Sequence, residues 1–257
     1  MKKIDILGIK ISLTSEKEIQ KEVYSWRKDK KRHILVTPNP EMVMMARKDS
    51  LLRKIINGAD LAIPDGIGLV LASKVLYGKK GVKKRIAGVD LMKKICFWVS
   101  SWEGSVFFLG AQPGVAQECA RRLQEKYPSL RVAGCFAGWA EENQDERTRK
   151  EILFLLKKNG FSSKKPVDFL FVAYGAGRQE KWIKRNLHFL PIKAAMGVGG
   201  SFDFISGRVK RAPLWLRKIG LEWFWRLLCQ PWRWRRQLIL PVFVVAVLRE
   251  KIKNLRG

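Results

Sequence analysis

Acidic residues are scarce in this 257-residue chain: 23 Asp and Glu face 51 Lys and Arg, a net charge of +28. That imbalance excludes a cationic partner and calls for an anionic one, whether nucleic acid, anionic lipid or a phosphorylated substrate. Histidine is nearly absent, with only His33 and His188, and no Asp-x-Asp occurs. No zinc or divalent-metal cluster can be assembled from such a sequence, so the expectation is no metal and no cofactor, with each His structural. The four cysteines, Cys96, Cys119, Cys135 and Cys229, are widely spaced and form no Cys-x-x-Cys. Free thiols in a reducing compartment follow. The chain also lacks a long apolar run. Residues 238–248 reach about half the length that crosses a bilayer, and Pro241 interrupts them. At the N-terminus, Asp5 and Lys10 break the apolar stretch of a would-be signal peptide, so the expected approach to a membrane is from the cytoplasmic side. There is no Gly-x-Ser-x-Gly elbow, no phosphate-binding loop ending in Lys-Ser/Thr, and no full Gly-x-Gly-x-x-Gly. Serine hydrolases and P-loop nucleotide-triphosphatases lose their signatures, and a nicotinamide oxidoreductase lacks its fingerprint.

What the chain does have is concentrated at its end. From Gly207 to Gly257 there are thirteen Lys and Arg against two Glu, and five of the ten Trp. Rings and cations together suit a lipid headgroup boundary, where ring bodies bury and Arg heads meet phosphates. Two other readings compete. The Trp residues could form the core of a helical subdomain, or the basic surface could bind nucleic acid. Nucleic-acid binding predicts aromatics interleaved with Lys on a sheet face, whereas these cluster with aliphatics in a terminal segment. The composition shift near Gly207 divides the chain into a body, 1–206, and a basic, Trp-rich C-terminal segment, 207–257.

Through the body, short β-rich runs alternate with helical periodicity, which predicts an α/β fold with a mostly parallel sheet flanked by helices. Strands are expected over 4–13 (folded back at Gly8), 34–37, 61–63, 106–109, 131–135, 168–173 and 194–198. Helices are expected over 16–27, 41–57, 66–77, 90–100, 113–126, 144–158 and 178–189. Ligands of such sheets sit beyond the carboxyl ends of the strands. That rule singles out loops at Thr37 and Asn39, Asp65, Gly110 to Gly114, Gly138, Gly175 to Gln179, and Gly197 to Ser201.

Asp65 follows the apolar run Leu61-Ala-Ile and the rigid Pro64, at the edge of a strand. A carboxylate there, partly shielded from water, can accept a proton from a substrate hydroxyl. It can equally serve as a helix N-cap before Gly66. Thr37 and Asn39 offer uncharged hydrogen bonds beside it, or make an Asn-Pro turn. Gly110-x-x-x-Gly114 and Gly175-x-Gly177 followed by Arg178 can each cradle a phosphate at a helix N-terminus, or be plain strand-to-helix turns.

Taken in order, Thr37-Pro-Asn39-Pro-Glu-Met, Pro64-Asp65-Gly66-Ile-Gly68, Arg85-Ile-Ala-Gly88-Val-Asp90, Gly110-Ala-Gln-Pro-Gly114, Gln179-Glu180-Lys-Trp182 and Gly197-Val-Gly-Gly200-Ser-Phe-Asp203 resemble the WecG/TagA/CpsF glycosyltransferases. Arg211-Ala-Pro213, Glu222-Trp223, Arg226-Leu and Pro231-x-Arg233 continue the likeness over nearly the whole chain. The resemblance implies a Rossmann-like core with a C-terminal helical membrane-docking appendage that helps complete the site, peripheral on the cytoplasmic membrane face. It implies an inverting transfer of N-acetylmannosamine from a UDP-sugar donor to N-acetylglucosamine on a polyprenyl diphosphate, the committing step of wall teichoic acid assembly. Donor alternatives are the uronic acid of that sugar and UDP-glucose. It also implies a homo-oligomer formed through the body. By the same resemblance Asp65 is the base, with Thr37 and Asn39 its polar neighbours. Arg85, Gln179, Gly110, Gly114, Gly138, Arg178, Gly199 and Gly200 fall at the donor or acceptor site. Arg211, Arg217, Arg226, Arg233, Trp215 and Trp223 meet the diphosphate or the membrane. Two positions depart from the pattern: Gly177-Arg178 stands where Pro-Lys is common, and Trp139 where Tyr is expected.

Overall fold

The computed structural model describes residues 2–256, apart from the side chains of Arg233 and Arg256. The chain opens with an antiparallel hairpin, β1 (Lys3–Ile6) and β2 (Ile9–Ser12). It turns at Leu7 and Gly8, both with positive φ (55° and 84°), the backbone that a two-residue hairpin turn requires. Next come α1 (Glu16–Ser25), β3 (His33–Val36), α2 (Pro40–Lys48), α3 (Ser50–Asn57), β4 (Leu61–Ala62), α4 (Ile67–Tyr77) and α5 (Gly88–Ser100). The body continues through β5 (Ser105–Gly110), α6 (Val115–Lys126), β6 (Arg131–Phe136), α7 (Asp145–Lys158), β7 (Val167–Ala173), α8 (Arg178–Asn186), β8 (Ile192–Gly197) and α9 (Ser201–Ile205). Four helices follow: α10 (Leu214–Lys218), α11 (Glu222–Cys229), α12 (Trp234–Gln237) and α13 (Ile239–Arg256).

Six strands form one parallel sheet in the order β4-β3-β8-β7-β5-β6. Its central strands are buried on both faces, and successive side chains go to opposite layers. Phe108, Phe169 and Phe171 pack beneath α1, α5, α6 and α9, whereas Phe107, Leu170 and Val172 pack against α7 and α8. A third cluster joins the hairpin to α2, α3, α4 and α13. The hairpin also covers the β4 edge, where Ser12 Oγ accepts from the Ala62 amide at 3.1 Å.

The expected helix over 41–57 is two helices. Asp49 is extended (φ −120°, ψ 97°) and its carboxylate caps the second by accepting from Leu52 N at 2.9 Å. A favourable local cap breaks a pattern whose apolar periodicity runs through it.

The segment after α9 is built onto the body. Phe243 and Val247 of α13 are buried in the cluster with α2 and α4, and a Cβ on Gly220 would press into Ile67 at the start of α4 (2.8 Å). No helix among the described residues is long and apolar enough to cross a membrane. Cys96 and Cys119 are buried, Cys135 is half-buried and Cys229 exposed, all as free thiols. His33 sits between Asp29 and Asp60 (3.2 and 3.3 Å), stacked on Trp26.

Candidate active site

From β5 the chain leaves toward β6, and from β7 it leaves the opposite way toward β8, although β5 and β7 are neighbours. Crevices form outside the carboxyl ends of strands at such a reversal. The two strands approach so closely there that a Cβ on Gly110 (φ 102°) would lie 2.8 Å from the Ala173 carbonyl carbon. A cavity of about 1000 Å³ opens above this point. Every strand of the sheet sends a loop to its wall: Thr37 and Asn39, Asp65, Ala111, Gly138 and Trp139, Gly175 to Gln179, and Val198 to Ser201. The segment after α9 supplies the opposite wall with Glu222, Trp223, Arg226, Arg236 and the apolar start of α13.

Asp65 lies at the heart of the polar part. Its amide donates to the Pro38 carbonyl at 2.8 Å, fixing the strand end. It does not cap α4: that N-cap is Gly66, with no side-chain hydrogen bond. The carboxylate instead faces the first residue of α5. A Cβ on Gly88 would stand 3.3 Å from both Asp65 Oδ2 and Thr37 Oγ1, so those two oxygens converge on one point. Burial pushes the Asp65 carboxyl from its ordinary 3.8 up to about 6. The Gly88 amide, Arg85 and Arg211 act against that rise, and Glu222 adds to it. Asn39 is the α2 N-cap: its Oδ1 accepts from Met42 N at 2.9 Å, so its acceptor oxygen serves the fold as well as the wall.

The guanidinium groups have divided tasks. Arg211 grips Asp90 with both Nη atoms (2.5 and 2.8 Å) and Glu222 with Nε (2.7 Å), tying the start of α5 to α11. Arg85 lies 3.5 Å from Glu222 and donates to the Arg217 carbonyl at 3.2 Å. Arg226 lies over the Phe204 ring at 5.0 Å and against Gly200, where a Cβ would collide with it. Burial, and then the nearby Arg236, lower the Arg226 pKa. Arg236 is held by Glu41 through two bonds (2.7 and 2.8 Å). Arg226, largely desolvated beside a second cation, is a group that an anion in the cavity would relieve. Arg178 is exposed at the cavity rim, at the first turn of α8.

Gln179 is a latch. Its Oε1 accepts from Gly199 N at 2.9 Å and its Nε2 donates to Glu180 Oε1 at 2.8 Å, clamping the β7 loop to the β8 loop. Glu180 is fully buried, takes the Gly177 amide at 2.7 Å, and is pushed from 4.5 up to about 7 by burial. The Tyr174 hydroxyl is buried on the wall beside Gly138 without a partner among the described residues. Trp139 is on the wall with the Arg147 guanidinium 4.2 Å from its ring centre.

The structure therefore gathers Thr37, Asn39, Asp65, Arg85, Gly138, Arg178, Gln179, Gly199, Gly200, Trp223 and Arg226 around one cavity. Gly110, Gly114, Arg211, Arg217 and Trp215 lie outside its wall. Gly114 is the left-handed N-cap of α6, and Trp215 is exposed on α10. The side chain of Arg233 lies outside the described residues. Sequence reasoning misses Gly88 and Tyr174 as site residues, whereas Arg236 is one of the tail arginines expected at the diphosphate or UDP. Gly88 stands within a quoted motif, but only the fold sets it against Asp65. Among the described residues, no group of three His, Cys, Asp or Glu side chains is placed to hold a metal ion.

Three proteins with related sequences are each named N-acetylglucosaminyldiphosphoundecaprenol N-acetyl-beta-D-mannosaminyltransferase. That of Bacillus subtilis (strain 168) is 33% identical over 218 residues, covering 85% of this chain and 80% of the relative. That of Bacillus spizizenii is 36% identical over 217 residues, covering 84% and 79%. That of Staphylococcus aureus (strain MRSA252) is 30% identical over 253 residues, covering 98% and 94%. The model of the glycosyl transferase WecG/TagA/CpsF family matches residues 4–257. With a switch-point cavity that joins a half-buried carboxylate to guanidinium groups, this chain belongs to that glycosyltransferase family.

Proposed function

We propose that the protein transfers N-acetylmannosamine from UDP-N-acetylmannosamine to the 4-hydroxyl of N-acetylglucosamine on undecaprenyl diphosphate, the step that builds the wall teichoic acid linkage unit. The observation that carries this reading is Asp65, a carboxylate pushed up to about 6 within a cavity whose other wall is cationic. Above that pH it is ionised and has appreciable proton affinity, which suits a general base. As the acceptor oxygen attacks the anomeric carbon, its proton passes to Asp65, the bond from that carbon to the UDP oxygen breaks, and UDP leaves with the electron pair. The new bond forms on the face opposite the departing UDP, so the configuration inverts. Thr37 Oγ1, converging with the carboxylate, orients the incoming hydroxyl. Arg226 and Arg236 meet diphosphate charge in place of a metal, and Arg178 with the amide end of α8 offers a further anion contact at the rim. Gln179 acts through the loops it clamps.

The names of the relatives favour this donor over the uronic acid and UDP-glucose. The exposed Trp215, Phe224, Leu228, Trp232 and Trp234, interspersed with Arg, favour a peripheral position on the anionic inner membrane surface. The test is incubation with each UDP-sugar and a short-chain lipid-diphosphate N-acetylglucosamine, reading product mass and UDP release together. Equal release of UDP and disaccharide-lipid from UDP-N-acetylmannosamine is expected. Transfer from another donor alone would reassign the sugar, and UDP release without a lipid product would remove the acceptor.

A further inference from the structure

The cavity changes character along its length. At its polar end stand Asp65, Arg226 and Arg236; at the other end, the wall lining between α4 and α13 is aliphatic. Leu71 and Val75, one helical turn apart on α4, are 53% and 39% exposed. Leu240, Val244 and Leu248 make an i, i+4, i+8 stripe on α13, with Val244 and Leu248 54% and 49% exposed. Between the stripes Phe243 is buried and helps form the floor. Two open aliphatic stripes facing one groove are costly in water unless something apolar covers them. The helical rise from Leu240 to Leu248 gives the trough a length of about 12 Å, the reach of a few isoprene units. Its mouth adjoins the cations, because Arg236 precedes α13 by only three positions.

We infer that this α4–α13 trough holds the first isoprene units of the acceptor's polyprenyl chain. The inference rests on the proposed polyprenyl-diphosphate acceptor. Such a lipid joins a sugar, a diphosphate and a hydrocarbon chain, and the one cavity is lined by a carboxylate, guanidinium groups and an aliphatic wall. A second copy of this chain docking through the same stripes would not need the continuity with Asp65. The trough therefore lets the enzyme read the chain beyond the diphosphate, in addition to any contact with the bilayer.

The test compares N-acetylglucosamine diphosphate acceptors carrying a long polyprenyl chain or a single isoprene unit, both in the same detergent micelles, so that membrane docking is not the variable. The native protein is expected to favour the long chain by about tenfold or more in kcat/KM. In the L71D/V244D protein that ratio is expected to fall toward one. Both sites are more than half exposed, so the fold tolerates the change, and thermal unfolding checks it. A native protein without chain preference, or a variant that keeps it, overturns the inference. So does a variant whose only change is a smaller mass in sedimentation, which would make the trough an interface between copies. A second measurement does not require turnover: a polyprenyl diphosphate bearing a photoreactive group on its second isoprene unit is crosslinked to the native protein. Labelling of residues 67–77 and 239–248 supports the trough even if no sugar is transferred, in which case the proposed reaction alone falls. Labelling confined to residues 214–234, or none, overturns the trough.

Discussion

Replacing Asp65 by Asn is expected to make the protein more stable at neutral pH while abolishing transfer. The carboxyl rises from 3.8 to about 6 on folding, chiefly through burial. At about 1.4 kcal/mol per tenfold change in proton affinity, that corresponds to about 3 kcal/mol. The folded state holds this proton more tightly than the unfolded chain does. Its contribution is therefore intact below pH 3.8, declines as the pH rises through about 6, and is fully lost above it. Above pH 6 the ionised group weighs against folding by up to about 3 kcal/mol. Its residual contact with cavity water reduces this, so we expect a gain of about 1 to 3 kcal/mol in the variant at pH 8. The amide keeps an acceptor for the Gly88 N–H and nearly the same volume. The assay is urea unfolding followed by Trp fluorescence from pH 4 to 8, comparing the two proteins at each pH so that other titrating groups cancel. The Asn-Gly pair created with Gly66 deamidates on storage, so freshly purified protein is required. A difference that does not grow between pH 4 and 7, or a variant less stable at pH 8, would refute the buried-base reasoning.

Gly88→Ala places a Cβ 3.3 Å from both Asp65 Oδ2 and Thr37 Oγ1. It is expected to lower kcat by about 10- to 100-fold through misplacement of those oxygens, with little change in Tm; steady-state kinetics and a thermal scan check both. Glu180→Gln keeps the acceptor for Gly177 N and removes a carboxyl raised from 4.5 to about 7. Stability lost by the native protein as pH rises through that range is expected to be retained by the variant, read as a widening gap in unfolding midpoints between pH 5 and 8. Arg211→Ala removes the ion-pair partner of Asp90 and leaves Glu222 with Arg85 alone. It is expected to cost about 2–3 kcal/mol, less than a fully buried pair because Asp90 keeps solvent contact, and limited proteolysis is expected to cut first within residues 207–238.

The layers of this fold are legible because they rest on local periodicity. Runs such as Val106 to Leu109 and Asp168 to Ala173, buried on both faces, can only be central strands. The parallel sheet then places Thr37, Asp65, Gly138 and Gln179 at one edge before any distance is known. Asp65 as base or cap is undecidable from its own neighbourhood, since Asp before Gly caps well; the position of Gly88 against it is a tertiary fact. The tail shows the same limit. Its arginines look alike in sequence, yet Arg211 is spent on Asp90, 121 positions away, while Arg226 lies over Gly200 on the cavity wall. Nothing local separates the two. Asp49 errs the other way: a short-range cap breaks a helix that apolar spacing alone would continue.

The central claim, that Asp65 takes the acceptor proton in a cavity that binds the UDP-sugar independently of it, is tested most directly with Asp65→Ala. Calorimetric titration with UDP-N-acetylmannosamine is paired with single-turnover transfer to the lipid-linked acceptor. The account predicts donor affinity within a few-fold of native and transfer reduced by at least about a thousandfold, the upper part of what a positioned base contributes. Transfer near the native rate in that variant would contradict it.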